Sequence, residues 1–305
     1  MYDIPILFVI FKRKDIALQS FQQIKAIKPQ KLYIAGDGAR NNVIGEAEKV
    51  DETRQSILND IDWKCDVHTL FRNNNVGCSE GVHSAINWMF ETEEMGIILE
   101  DDCIAEPTFF PYISELLHKY KDDYRIGMIA GTNPIENYLM PHSYCFSKYA
   151  ACWGWATWKR AWTQIDIKMR FLLSAQDKKN ILQNRGYQAK EKQHWLFQID
   201  YIKKARVSAW DWQWYFSLAA QNQLCIFPQV NLISNIGNDT EATHTNGNDI
   251  FIKSKAITSP LSHPRYIVPD DTFDREFYRK DNTLLNRIKR NIPFKLKEQI
   301  KKIIR

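Results

Sequence analysis

The chain has 305 residues, 44% of them hydrophobic and 25% charged, with a formal net charge of +5 and six cysteines. Values this close to the soluble average exclude a disordered or fibrous polymer, and no apolar run approaches the roughly 20 residues of a membrane span. The charge is uneven: residues 284–305 hold eight Lys or Arg and one Glu, a local balance of +7 that leaves the remainder near −2. A near-neutral body excludes a general nucleic-acid-binding surface, which needs basic residues spread along a face or groove.

The first element is an apolar strand over Ile4 to Phe11, followed by Lys12, Arg13 and Lys14. Asp3 precedes this run, so its charge order is the reverse of a secretory signal. Helical periodicity then covers Asp15 to Ile27, and Lys31 to Ala35 reads as a second strand. A Gly-rich turn at Gly36-Asp37-Gly38 leads to a charged helix from about Gly45 to Asp60 and a third strand at Asp66 to Phe71. A helix from Ser79 to Thr92 feeds the apolar run Ile97-Ile98-Leu99, and a further helix (Phe109 to Tyr120) and strand (Arg125 to Ala130) follow. Alternating strands and helices predict an α/β fold with a mostly parallel, doubly wound sheet flanked by helices. The second half is less regular. Phe171 to Lys204 is polar and rich in Lys and Gln, which suggests a surface helical insertion, and Asn235 to Asn248 has the composition of a loop. The six cysteines, Cys65, Cys78, Cys103, Cys145, Cys152 and Cys225, include no Cys-x-x-Cys pair. Free thiols in a reducing cytoplasm are the simplest reading.

The fourth strand stops abruptly at Glu100-Asp101-Asp102. Carboxylates placed side by side raise each other's pKa unless a cation screens them. Oxygen-only ligands suit Mg²⁺ or Mn²⁺, which share their remaining positions with water and substrate phosphates. A solvated acidic turn would carry the same residues. The carboxyl edge of an open sheet is where α/β proteins bind ligands, and two further features fall there. Ala35-Gly36-Asp37-Gly38-Ala39-Arg40 offers tight turns, with Asp37 as an acceptor for a base or ribose and Arg40 beside it. Arg72 to His83 collects polar side chains and glycines, and His83 falls early in the next helix, within reach of a diphosphate; a packed histidine would look the same.

Seven of the ten tryptophans lie in two short runs, residues 153–162 and 210–214. Indole faces pack against the apolar faces of sugar rings, so Trp153, Trp155 and Trp212 are candidate acceptor contacts, with core packing as the alternative. Asp211 lies between two indoles, where desolvation would raise its pKa and suit it as a general base.

Together these residues resemble a glycosyltransferase of the GT-A fold, in the nucleotide-diphospho-sugar transferase superfamily. The triplet Glu100-Asp101-Asp102 is similar to that superfamily's DxD-type metal motif, and the order of features resembles bacterial enzymes related to N-acetylglucosaminyltransferase I. The resemblance covers roughly residues 4–245. It implies that Asp102 binds the metal, that Glu100 and Asp101 contact the donor sugar or ribose, and that Asp37 binds uridine with His83 beside the nucleotide. It implies Asp211 as the base of an inverting displacement. It also implies a loop containing Ser234, Asn235 and Gly237 that orders over the donor, and a late phosphate or metal contact from His244. The segment Phe11-Lys12-Arg13-Lys14 departs from the Asn-Arg-Pro of many relatives, although Arg13 can still face the nucleotide.

On this reading residues 1–282 form the transferase domain, with a nucleotide-sugar half to about 130 and an acceptor half over about 131–250. Residues 283–305 form a basic amphipathic tail suited to an anionic membrane surface, or packed on the domain. The expected protein is cytoplasmic, peripheral on the inner face of the membrane, and acts on a glycan or lipid-linked glycan of surface polysaccharide or lipopolysaccharide. A nucleotidyltransferase that makes sugar nucleotides is the competing enzyme class, and a non-catalytic carbohydrate-binding protein at the membrane is the competing binding class.

Overall fold

A computed structural model describes residues 1–135, 138–184, 189–205, 210–237 and 252–282. Its first half follows the expected alternation: β1 (Ile6–Ile10), α1 (Lys14–Ile27), β2 (Lys31–Gly36), α2 (Glu46–Asn59), β3 (Asp66–Phe71), α3 (Cys78–Thr92) and β4 (Met95–Glu100). These strands pair in parallel in the order β3-β2-β1-β4. The chain therefore winds outward from β1 to β3 and then returns to the other side of β1. The carboxyl ends of β1 and β4 flank the point where the winding reverses, which in open α/β sheets is the usual ligand crevice.

The less regular second half extends the same sheet. After β5 (Cys103–Ala105) and α4 (Phe109–Lys119) come β6 (Ile126–Ala130), β7 (Tyr144–Ser147) and β8 (Trp155–Trp158). Strand β8 inserts antiparallel between β4 and β6. Strand β9 (Leu224–Pro228) then pairs in parallel with β6 and antiparallel with β7, completing an eight-stranded, mostly parallel sheet. A separate two-stranded ribbon joins β5 to β10 (Ile233–Asn235).

Side chains of a strand alternate between faces, and the core divides accordingly. Ile6, Phe8, Ile10, Leu32, Ile34, Ile97 and Leu99 face α1, α2 and α4, while Leu7, Tyr33, Ala35 and Ile98 face α3 on the opposite side. The result is a Rossmann-like three-layer α/β architecture, as the alternation predicts.

The second face carries the tryptophans. After the short α5 (Lys159–Trp162), a 3₁₀ turn (Arg170–Leu173) and α6 (Ala175–Asn184), α7 (Ala189–Ala205) and α8 (Asp211–Ala220) pack there, with α9 (Asp271–Asp281) contributing Phe273. The expectation of a surface insertion over Phe171 to Lys204 is corrected for α7. Of its apolar residues, Trp195, Ile199 and Ile202 fall on one helical face and are buried, while Leu196 and Phe197 are half-buried. Trp195 stacks on Tyr215 at 4.7 Å. A low apolar count concealed that face because a helix needs only i, i+4, i+7 spacing to dock.

None of the described helices is long and apolar enough to cross a membrane. The basic tail lies outside the described residues.

Candidate active site

The acidic triplet leaves the end of β4 and turns into β5 with three different surroundings. Asp101 is only 5% exposed; burial lifts its carboxyl to about 6 against the pull of the neighbouring Arg13 guanidinium. Arg13 Nη2 donates to Asp101 Oδ1 and, at 2.9 Å, to Asp102 Oδ2. The second oxygen of Asp101 has no hydrogen-bond partner among the described residues. Glu100 is half-buried. Its carboxyl is pushed up to about 8, chiefly by burial and then by the charges of Asp102, Asp101 and Asp211. Asp102 also accepts from Asn235 Nδ2, at 3.2 Å on Oδ1.

Asp211 therefore belongs to this cluster, although more than a hundred residues separate it from Glu100 in the chain. The Cys78 thiol at the start of α3 is pushed up to about 12, by burial first and then by Glu100, Asp211, Asp37 and Asp102. One half-buried thiol thus has carboxylates from three separate stretches of chain within electrostatic reach. Cys152 is similarly raised, by burial and by the charges of Asp211, Cys225 and Glu100. Neither cysteine was marked by spacing in the sequence, because what places them is the convergence of three loops.

The surroundings of Asp211 differ from the expected desolvation between two indoles. Asp211 is exposed at the first turn of α8, and its neighbours turn inward. Trp210 is buried and stacks on Trp155 at 5.5 Å, and half-buried Trp212 packs against Trp195 and Phe216. On a helix, adjacent residues point about 100° apart, so the indoles that flank Asp211 in sequence do not enclose it. The helix N-terminus favours an ionised carboxylate there.

Several other candidates hold the site together and do not face it. The carboxylate of Asp37 accepts backbone N–H groups from Gly38, Val76 and Gly77 at 2.9 to 3.1 Å, so the uridine role expected of it meets a group already engaged with the loop after β3. Gly38 makes that loop contact possible, since a Cβ there would lie 2.5 Å from the Asn74 backbone. Arg40 is bound to buried Glu46 through its backbone N–H and its guanidinium. Ser234 is buried; its hydroxyl donates to Ser254 Oγ and accepts from the Ser254 N–H, so it fastens residues 252–254 where a donor contact was expected. His83 packs 5.9 Å from the Trp162 ring, and burial lowers its pKa. Trp155 is fully buried in an indole cluster with Trp162, Trp210 and Trp214, which removes it as an acceptor contact. Trp153, 37% exposed and adjacent to Cys152, remains accessible. His244 lies outside the described residues.

Glu46 was not anticipated. Its carboxyl is held at about 2, chiefly by the Arg40 hydrogen bonds, with Lys12 at 3.2 Å as a further cation. The unfolded chain therefore takes up this proton first as pH falls, so the stabilisation is complete above about pH 4.5 and disappears toward pH 2. Chemical denaturation of Glu46→Gln should show a loss of stability at pH 7 that shrinks steadily between pH 5 and pH 2.

Glu100 and Asp102 fit a hard divalent cation: both are half-buried oxygen donors at one strand end, and the mutual repulsion of the cluster is what such an ion relieves. Among the described residues no group of three or more His, Cys, Asp or Glu is arranged to hold a metal. Mg²⁺ or Mn²⁺ bound through one or two carboxylates and substrate phosphates does not require one.

No family model matches the chain, and no curated protein matches it. Solved structures match it in part. A mannosyltransferase from Pyrobaculum calidifontis, in complex with GDP-Man and Mn²⁺, is 9% identical with a TM-score of 0.34. The match covers 50% of this chain, which spans 44% of the length of that enzyme. HddC from Yersinia pseudotuberculosis complexed with GMP-PN is 12% identical over 52% of this chain and 78% of its own, with a TM-score of 0.34. A UDP-glucose pyrophosphorylase complexed with UDP-glucose is 10% identical over 53% of this chain and 79% of its own, at 0.30. These overlaps are local, and no activity passes from them to this chain.

Proposed function

We propose that this chain is a metal-dependent, inverting glycosyltransferase of GT-A type that moves a sugar from a nucleotide-diphospho-sugar, UDP-linked, to a hydroxyl of a glycan acceptor. The observation that carries the reading is that Asp211 lies within electrostatic reach of Glu100, at the carboxyl edge of the sheet. A glycosyl transfer of this kind needs two things in one crevice: anionic oxygen ligands for a cation beside the leaving diphosphate, and a carboxylate to take the acceptor proton.

Glu100 and Asp102 would hold the cation, and when bound it would stabilise the charge on the departing diphosphate. Arg13 fixes the turn by bridging Asp101 and Asp102. Asp211, accessible at the first turn of α8, takes the proton of the acceptor hydroxyl as that oxygen attacks the anomeric carbon from the face opposite the breaking carbon–oxygen bond. Trp153 offers an accessible indole for a sugar ring, next in sequence to Cys152, which lies within electrostatic reach of Asp211. The acceptor is a glycan or lipid-linked glycan of surface polysaccharide synthesis, and the basic tail, residues 283–305, holds the enzyme to an anionic membrane.

A nucleotidyltransferase would need a Gly-rich phosphate loop after β1 with a lysine turned toward phosphate. Residues 11–14 contain no glycine, Lys12 pairs with Glu46, and Lys14 pairs with Glu52. These contacts favour transfer over nucleotidyl chemistry. A thermal-shift screen against UDP-, GDP- and CMP-sugars, with and without Mn²⁺, tests the reading. A metal-dependent rise with one nucleotide class is expected; no rise with any would leave a non-catalytic protein. Pyrophosphate release from a nucleoside triphosphate and a sugar phosphate would instead mark the nucleotidyltransferase.

A further inference from the structure

Both oxygens of Asp102 are held, and one of the holders comes from a distant part of the chain. Oδ2 accepts from Arg13, immediately after β1, and Oδ1 accepts from Asn235, the last residue of β10. The Asn235 amide is itself oriented, because its Oδ1 accepts the Gly237 N–H at 2.9 Å. The Ile236 N–H donates to the Asp102 carbonyl at 2.9 Å. Beneath these contacts, β10 pairs with β5 in a register that sets Asn235 opposite Cys103, next to Asp102. Close approach completes the arrangement: a Cβ on Gly237 would stand 2.2 Å from Asp102 Oδ2.

We propose that Asn235 is a positioning residue for Asp102: its amide fixes the rotation of the carboxylate, so that the lone pairs left by Arg13 and Asn235 point toward the incoming divalent cation. This rests on the metal-binding reading of Asp102 given above. A carboxylate rotates easily about its last bond, and without the Asn235 amide Oδ1 would keep only the weak Cys103 thiol contact at 3.6 Å beside the Arg13 bond on Oδ2. The two nitrogen donors, Arg13 and Asn235, come from different elements and together leave one orientation. Partners of this kind, removed by mutation, typically weaken metal affinity by about 10- to 100-fold. The arrangement also makes the cation site depend on the docking of β10, a strand far from Asp102 in sequence.

The test is a Mn²⁺ titration of the full chain followed by electron paramagnetic resonance, with a melting curve of each variant in metal-free buffer. Asn235→Ala should weaken Mn²⁺ binding about 10-fold or more while its metal-free melting temperature stays close to that of the parent. Gly237→Ala, which presses a methyl group on Asp102 without removing the amide, should weaken it as well. Ser254→Ala, which loosens the hydrogen bonds at Ser234 on the same strand without touching Asp102, should leave Mn²⁺ affinity unchanged. Parent protein that binds Mn²⁺ together with an Asn235→Ala variant that binds it equally overturns the positioning role alone. Parent protein that binds no Mn²⁺ overturns the metal reading and the positioning role together. If Ser254→Ala and Asn235→Ala lose Mn²⁺ in proportion to a fall in melting temperature, the loss reports strand docking and the positioning role is again overturned.

Discussion

Asp211→Asn should lower glycosyl transfer by about 10²- to 10⁴-fold, the range of a lost general base, and should leave donor binding nearly intact. The two effects separate because the base and the cation ligands sit on different supports. Asp211 opens α8, which is anchored by Trp210, Trp214 and Phe216 in the aromatic face of the core. Glu100 and Asp102 close β4, which is anchored by its neighbours β1 and β8. An amide at position 211 keeps size and polarity but loses the capacity to take a proton, together with a negative charge that bears on Glu100. Turnover with a UDP-sugar and a glycan acceptor, measured beside a nucleotide thermal shift, reads both quantities. Undiminished turnover would remove Asp211 as the base.

Asp102→Asn should have the complementary effect. It retains the side-chain volume between Arg13 and Asn235 but removes a negative charge from the cation site, so the Mn²⁺-dependent part of the donor thermal shift should vanish. Saturating a site at 100 times its dissociation constant stabilises a protein by about 2.7 kcal/mol, and that is the size of the signal expected to disappear. Transfer should fall with it, by about 10²-fold or more, as when one electrostatic stabiliser of a leaving group is lost. Melting curves with and without Mn²⁺ check the prediction, and a variant that keeps the full metal-dependent shift would place the cation elsewhere.

How far the sequence could be read follows from the range of the forces involved. Strands β1 to β4 and helices α1 to α4 are legible because each is written in local periodicity, and their boundaries agree with the expected ones within about two residues. The acidic triplet was legible for the same reason: a buried strand that ends in three carboxylates is a local break in pattern visible without any tertiary information. Orientation was not legible. Trp155 and Trp153 lie two residues apart with the same composition around them, yet one is sealed in the core and the other reaches solvent. That difference arises when β8 inserts between β4 and β6, an event that no local pattern encodes. Asp37 and Arg40 carry the right chemistry at the right edge, but backbone N–H groups and Glu46 reach them first. Asn235 lay in a segment that read as a loop, and its meeting with Asp102 depends on a strand pair formed across a long separation in the chain.

The Arg13 bridge has a consequence for how the protein lives without its ligands. In small zinc domains the unscreened ligands repel one another until metal arrives, so a chelator unfolds the chain. Here a guanidinium already stands between two members of the acidic turn, supplied by the residue that joins the central strand β1 to α1. On the proposed reading, the acidic turn carries its own internal counter-ion, so folding would not have to wait for divalent metal. If the proposed cation binds, the chain would already be folded when it arrives, and a change in available metal would alter turnover far more than it alters the amount of folded protein.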